Sequence, residues 1–251
     1  MTTVNSITLN VNTYKNKSSL NSVDLAFVPW ENNSMDNAFY GDSNLINVTN
    51  INENVTNMYQ TFIYCSNLVN APAIPNTVIN MYGTFDSCRN LVNAPEIPNS
   101  VTDMSRTFYD CSNLVNATVI SDSVINLYRT FEECYSLVNA PVIPNSVSDM
   151  SESFDSCWNL VNAPEIPNSV SDMYKTFSYC SNLTGNINIH SENITNARNC
   201  FYGTSLDKNV YIPFMYENGV NTLTYNAFIN AGYSPTTRKD GVLLFDISEL
   251  N

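Results

Sequence analysis

The phrase Phe-x-x-Cys-x-x-Leu returns along this chain at a fixed step of 23 residues. Phe62, Phe85, Phe108, Phe131, Phe154 and Phe177 keep the step. So do Cys65, Cys88, Cys111, Cys134, Cys157 and Cys180, and Leu68, Leu91, Leu114, Leu137, Leu160 and Leu183. A unit this short cannot bury its apolar residues alone. It must stack on copies of itself, so the chain is expected to form a solenoid in which each coil touches only its neighbours. Phe, Cys and Leu then become columns of a continuous core.

Within one coil, Met81, Phe85, Cys88 and Leu91 are spaced by 4, 3 and 3. That spacing predicts a helical or 3₁₀ segment with one inward face. Val92-Asn-Ala-Pro-Glu-Ile97 reads as a short strand, ended by a turn at Pro98-Asn99. Ser100-x-x-Asp103, Ser146-x-x-Asp149 and Ser169-x-x-Asp172 read either as capping boxes or as a second short strand before a helical turn. The expected class is α/β: a solenoid of 23-residue coils with parallel strands and short helical turns, capped at both ends.

Residues 1–34 lie outside the pattern. Their alternating Ile7-Thr-Leu-Asn-Val-Asn12 and apolar Leu25-Ala-Phe-Val-Pro-Trp30 either cap the first coil or attach the chain elsewhere. Residues 35–204 hold the coils: a degenerate one with Asp42 in the Cys place, six clear ones from Met58, Met81, Met104, Leu127, Met150 and Met173, and a worn one from Ala197. Residues 205–251 read as an α/β cap. Strands at Asn209–Phe214 and Val242–Ile247 flank Leu223, Tyr225, Phe228 and Ile229 at helical spacing.

With 23 acids against 10 bases and a net charge of −13, the chain repels phosphate backbones and anionic lipid. Nucleic acid is therefore not an expected partner. No apolar run approaches the roughly 20 residues a bilayer needs, and the N-terminus lacks the basic and apolar regions of a signal peptide.

Six of the seven cysteines share one repeated place and Cys200 lies off it. A column of parallel Cβ vectors cannot meet disulfide geometry, so reduced, space-filling thiols are expected. No Cys-x2-Cys pair suggests zinc. His190 is alone, and no Ser-His-Asp set or Gly-rich phosphate loop can be assembled. Glu132-Glu133 and similar acids fall at variable places, where exposure is expected. The column Asn57, Asn80, Asp103, Asn126, Asp149 and Asp172 serves either calcium or, more commonly, Asn/Asp ladders and caps. No catalytic residue, cofactor or metal is expected.

The variable columns carry aromatic residues. Tyr135 and Trp158 fall one coil apart, Tyr128 and Tyr174 share a column, and Tyr179 follows Phe177. Tyr and Trp on a surface give large rigid contact with a polar edge, so these five residues are the candidate ligand-binding set.

The pattern Val-x-x-Met-x-x-x-Phe-x-x-Cys-x-x-Leu followed by Ile-Pro-x-x-Val resembles the BspA-type (Treponema-type) leucine-rich repeat over residues 35–204. Leu-Val-Asn-Ala-Pro-x-Ile departs from it by one extra residue, which bears on the strand boundaries. Asn218-Gly-x-x-Thr-x-Thr-Tyr-Asn-x-Phe-x-x-Ala-Gly-Tyr233 is similar to the C-terminal caps of such proteins in gut bacteria and their phages. The resemblance implies a non-enzymatic surface or adhesion role. Together with reduced cysteines and no export signal, it leads to the expectation of a phage virion appendage. Its partners would be other virion proteins or a host-surface protein or glycan, with a homo-oligomer possible. The alternative is a bacterial cell-surface adhesin.

Overall fold

The computed structural model describes residues 15, 20–184, 187–204, 210–213, 216–217, 220–221, 223–239 and 242–246. Successive coils lie directly on one another, and one side of each coil does most of the joining. In the second coil the N–H groups of Met58, Gln60, Phe62 and Tyr64 donate to the carbonyls of Asn80, Tyr82, Thr84 and Asp86 in the next, at 2.8–2.9 Å. The intervening N–H groups of Thr61, Ile63 and Cys65 turn back to Met58, Gln60 and Phe62 of their own coil. Alternate amides thus point along the solenoid and within the coil.

That alternation depends on left-handed residues. Gln60 and Tyr64 have φ of 48° and 62°, and the same two places are left-handed in later coils: Arg106 and Asp110, Arg129 and Glu133, Glu152 and Ser156, Lys175 and Tyr179. A left-handed non-glycine residue costs about 1–2 kcal/mol and cannot sit inside an α-helix. Each one instead turns an amide toward the next coil. The expected helical segment is therefore a run of turns. Its inward face is as expected, with Met81, Phe85, Cys88 and Leu91 all fully buried, but turns rather than a helix produce it.

The strands are also shorter than expected. Contact between coils on the other side reduces to single parallel bridges, as in Asn70↔Asn93↔Asn116 and Asn139↔Asn162. Prolines that lack an N–H stand at Pro72, Pro75, Pro95, Pro98, Pro141, Pro144, Pro164 and Pro167 and interrupt the ladder. The capping boxes do not form. Ser100 Oγ donates instead to carbonyls of Asn76 and Val78 in the coil before.

Phe39, Phe62, Phe85, Phe108, Phe131, Phe154, Phe177 and Phe201 make one stack with ring centroids 5.3–5.8 Å apart. Each of the six repeat thiols donates to a Phe carbonyl one coil back, from Cys65 to Phe39 and from Cys180 to Phe154, at 3.0–3.2 Å. All seven cysteines are free and buried. A second polar column, Thr61, Thr84, Thr107, Thr130, Ser153 and Thr176, donates in the same backward direction to Met-type carbonyls.

Both ends of the stack are closed. Strand β1 (Ser22–Leu25) pairs in parallel with β2 (Asn47–Ile51), and Trp30 sets its edge on Phe39 at 6.3 Å. At the far end β3 (Ile187–Asn188), β4 (Val210–Pro213), β7 (Ser234–Lys239) and β8 (Val242–Asp246) form a sheet in the order β3-β4-β8-β7. Strands β5 (Tyr216–Glu217) and β6 (Val220–Asn221) form a small hairpin. The one α-helix among the described residues, α1 (Leu223–Asn230), brings Phe228 to Phe201. Because the turn-side amides point toward the C-terminus, the last coil presents donors with no coil beyond. Tyr233 Oη accepts the Phe201 amide at 3.0 Å, and Thr224 Oγ1 accepts the Ile194 amide at 3.0 Å while donating to Ser191 O.

Candidate functional site

The outward residues of the turn segments form a continuous face of aromatic and charged side chains. Tyr135 and Trp158 stack with centroids 4.2 Å apart and planes 20° from parallel. Trp158 is 50% exposed. Small residues, Ser112 and Ser181, occupy the same column on either side of this pair, so no third ring covers it. Tyr179, also half-exposed, meets Tyr202 edge-on at 5.3 Å. Glycine is needed at Gly203 because its φ is 70° and a Cβ there would come within 2.7 Å of the Tyr179 ring.

Tyr128 and Tyr174 are not brought together. They stand two coils apart with Ser151 between them in the column, and each instead lies near the cation of its own neighbour. Arg129 is 5.1 Å from the Tyr128 ring and Lys175 is 5.5 Å from the Tyr174 ring. The stacked pair in this column is Tyr59–Tyr82, at 5.3 Å.

A polar network underlies the face. Glu133 accepts hydrogen bonds from Tyr109 Oη at 3.1 Å and Tyr135 Oη at 2.8 Å. Burial, then the Glu133 charge, pushes the Tyr109 phenol up to about 12, and burial with the Glu133 hydrogen bond raises Tyr135 likewise. Arg106 pairs with Asp86 at 2.8 Å and lies 4.0 Å over the Tyr109 ring. Arg89 pairs with Asp110 at 2.8 Å. Arg129 donates to both Glu152 oxygens at 3.0 Å and stands 3.4 Å from Glu132 Oε2.

Glu132 departs from expectation. It is only 8% exposed, because the turn folds it beneath Arg129 and against the next coil. Desolvation raises its carboxyl to about 7; Arg129 opposes the rise, and Glu152, Asp155 and Glu133 add to it. Asp86 and Asp155 are raised too, chiefly by burial. Residue order alone gave no signal of this burial, since the left-handed places that cause it carry ordinary polar residues. The Asn/Asp column, by contrast, resolves as turn chemistry. The Oδ1 atoms of Asn57, Asn80, Asp103, Asn126, Asp149 and Asp172 each accept the amide two residues on, at 2.8–3.1 Å.

On the proline side two shallow grooves run between coils. One, of about 420 Å³, is lined by Pro141, Val142, Ile143, Pro164, Pro167 and His190. The other, of about 340 Å³, lies across Val142 among Val119, Ile120 and Pro144. His190 stands 3.6 Å from the exposed carboxylate of Glu165 and belongs to this rim.

A family model described as the BspA type leucine rich repeat region matches residues 2–115 and 104–233, in six copies. Among solved structures, the chain is similar to the leucine-rich repeat protein TpLRR of T. pallidum, at 20% identity over 68% of this chain and 73% of that one, with a TM-score of 0.49. It is also similar to a leucine-rich cell-surface protein of Faecalibacterium prausnitzii A2-165, at 20% identity over 78% and 74% of the two chains, with a TM-score of 0.40. No curated protein matches it.

Proposed function

The chain belongs to the BspA-type leucine-rich repeat family, and from that premise we propose that it is a non-enzymatic binding protein of a bacterial cell surface. Its partner would be a host-surface protein or glycan, met on the aromatic face at Tyr135, Trp158 and Tyr179, with Tyr128 and Tyr174 on the same side. The observation that carries this reading is the Tyr135–Trp158 pair, stacked, half-open to solvent and held from below by Glu133. Holding two rings rigid before contact lowers the entropy lost on binding.

The expectation of a virion appendage leaned on reduced cysteines as a mark of assembly in a cytoplasm. The geometry weakens that step. Each repeat thiol is enclosed and spent on a carbonyl, and burial raises its pKa, so the column would survive an oxidising surroundings as well. The virion remains an outcome of the test rather than the working reading.

The test uses the purified chain, fluorescently labelled, on intact cells and envelope fractions of its source and of candidate host tissue. The Tyr135→Ala/Trp158→Ala variant should keep its melting profile and lose at least about tenfold in bound signal, as expected for a central aromatic pair. Undiminished binding by the folded variant sinks the assignment of this face. Native chain found in virions at fixed ratio to a capsid protein, and absent from envelopes, replaces the cell-surface reading with the virion one.

A further inference from the structure

We infer, resting on the binding role proposed for the aromatic face, that its ligand is a neutral glycan. A sugar ring would lie on the Tyr135–Trp158 pair, with two neighbouring hydroxyls held between Asn113 and Asn159. A regular column breaks beside these rings. One residue on from the column of Tyr135 and Trp158, exposed Asn side chains run as a ladder from coil to coil. Asn90 Nδ2 donates to Asn67 Oδ1 at 3.0 Å, Asn113 Nδ2 to Asn90 Oδ1 at 3.2 Å, and Asn182 Nδ2 to Asn159 Oδ1 at 3.2 Å. Ser136 stands where the Asn between Asn113 and Asn159 would be, and its shorter side chain bonds to neither. Asn113 gives its Nδ2 to the coil before and Asn159 its Oδ1 to the coil after. Among the described residues, Asn113 Oδ1 and Asn159 Nδ2 are then left without a protein partner, on the Ser136 side. An acceptor and a donor border a gap one amide wide. Two neighbouring sugar hydroxyls offer a donor and an acceptor at a spacing close to that of the missing amide.

The charges around the pair select against ionic ligands. Asp86 is paired with Arg106, Asp110 with Arg89 and Glu152 with Arg129. Both Glu133 oxygens accept from phenols. The groups that would anchor a basic peptide or an acidic sugar are thus spent on each other, and the net charge of −13 repels sialylated and sulfated glycans. The surroundings of the rings are polar as well, with Ser112, Ser136, Asn159 and Ser181 next to them by column or by sequence. A protein hot spot is ringed by contacts that shut out water. A sugar instead carries hydroxyls to a polar rim and presents a C–H face to the rings, whose electron-rich surface attracts polarised C–H groups.

The experiment screens the labelled full chain on a printed array of neutral, sialylated and sulfated oligosaccharides, then titrates the neutral oligosaccharide that binds best. Trp158 is the exposed one of two tryptophans and Trp30 is buried, so acrylamide quenching of the intrinsic fluorescence reads the site directly. The expected result is saturable protection of Trp158 by a neutral glycan and at least about tenfold weaker binding of its sialylated form. Asn159→Ala should weaken binding about threefold to tenfold, as for the loss of one hydrogen-bonding group. Ser136→Asn, which closes the ladder over the gap, should weaken it similarly while leaving the melting temperature as high or higher. Asn67→Ala, in the same column but away from the rings, should leave affinity as it is. No neutral glycan bound by the native chain overturns the inference. So does native affinity in Ser136→Asn, or equal loss in Asn159→Ala and Asn67→Ala. Periodate treatment of the cells that the native chain binds separates this failure from failure of the binding role. Binding that survives periodate but is lost in Tyr135→Ala/Trp158→Ala means that the face meets a protein: the glycan is rejected and the binding role stands. Binding unchanged in that double variant rejects both.

Discussion

The two sides of each coil are built on opposite plans. On the turn side, alternate amides, a thiol and a hydroxyl tie every coil to its neighbours, and charged side chains bridge what remains. On the proline side, inter-coil bonding thins to single bridges, and Val119 and Val142 stand 83% and 86% exposed between open grooves. The turn side fixes the stack and therefore holds its surface residues still. The proline side closes the loop of each coil at little energetic gain. A rigid surface is the better place for a binding site, because its geometry is set before the partner arrives.

The largest test of that contrast is a truncation inside the stack. Phe131 is fully buried between Phe108 and Phe154, with centroids 5.7 and 5.5 Å away. Phe131→Ala should cost about 3–5 kcal/mol in urea unfolding. The loss should be cooperative across the solenoid, because Phe108 and Phe154 pass the stack on to Phe85 and Phe177. Unfolding confined to the C-terminal coils would show instead that the stack is a chain of weakly linked pieces.

Next in size is the end of the array. The one-way run of turn-side amides makes its C-terminus a row of donors, and Tyr233 takes one of them. Tyr233→Phe keeps the ring contacts with Phe201 and Phe228 but leaves the Phe201 amide without its acceptor. A buried, unpaired donor costs about 1–3 kcal/mol. Faster hydrogen exchange at Phe201, with Phe131 unchanged, would place the loss at the end and not in the core.

Much of this was legible in the residue order. The 23-residue step places Phe, Cys and Leu inside, and the parallel Cys column with no disulfide follows from geometry alone. The adjacent column of Tyr135 and Trp158 was readable too, because residues one period apart must stack. The backbone was not. Tyr64, Asp110, Glu133 and Tyr179 hold left-handed φ without being glycine or, for the most part, Asn, so composition carries no mark of the turns they make. The missed turns hid the rest. They put Glu132 under Arg129 and bring Thr61 and its equivalents inward to carbonyls one coil back.

A pH experiment probes the buried charges on the turn side. Glu132 faces Arg129, Glu152, Asp155 and Glu133, with Lys175 beyond Glu152. Its carboxyl rises from 4.5 to about 7 on folding. The folded chain therefore holds this proton more tightly than the unfolded chain does, and stability falls as pH rises from about 4.5 to about 7. Partial solvent access discounts the size to roughly 1–2 kcal/mol. Glu132→Gln should flatten that part of the curve and be the more stable protein at pH 8. A native curve already flat between those limits would mean that Arg129 compensates Glu132 fully.

The smallest effect belongs to the proline side. Val142 is almost wholly exposed and borders both grooves, so Val142→Asp should change stability by less than about 0.5 kcal/mol, the ordinary range for a surface site. The same variant is the sharpest control on function. A charge placed on the ridge between the grooves would block any partner that used them, while leaving the turn side untouched. Native binding by Val142→Asp, beside weakened binding by the Tyr135→Ala/Trp158→Ala variant, assigns recognition to the rigid side. The reverse pattern would give recognition to the loosely bonded edge, where prolines interrupt the ladder between coils.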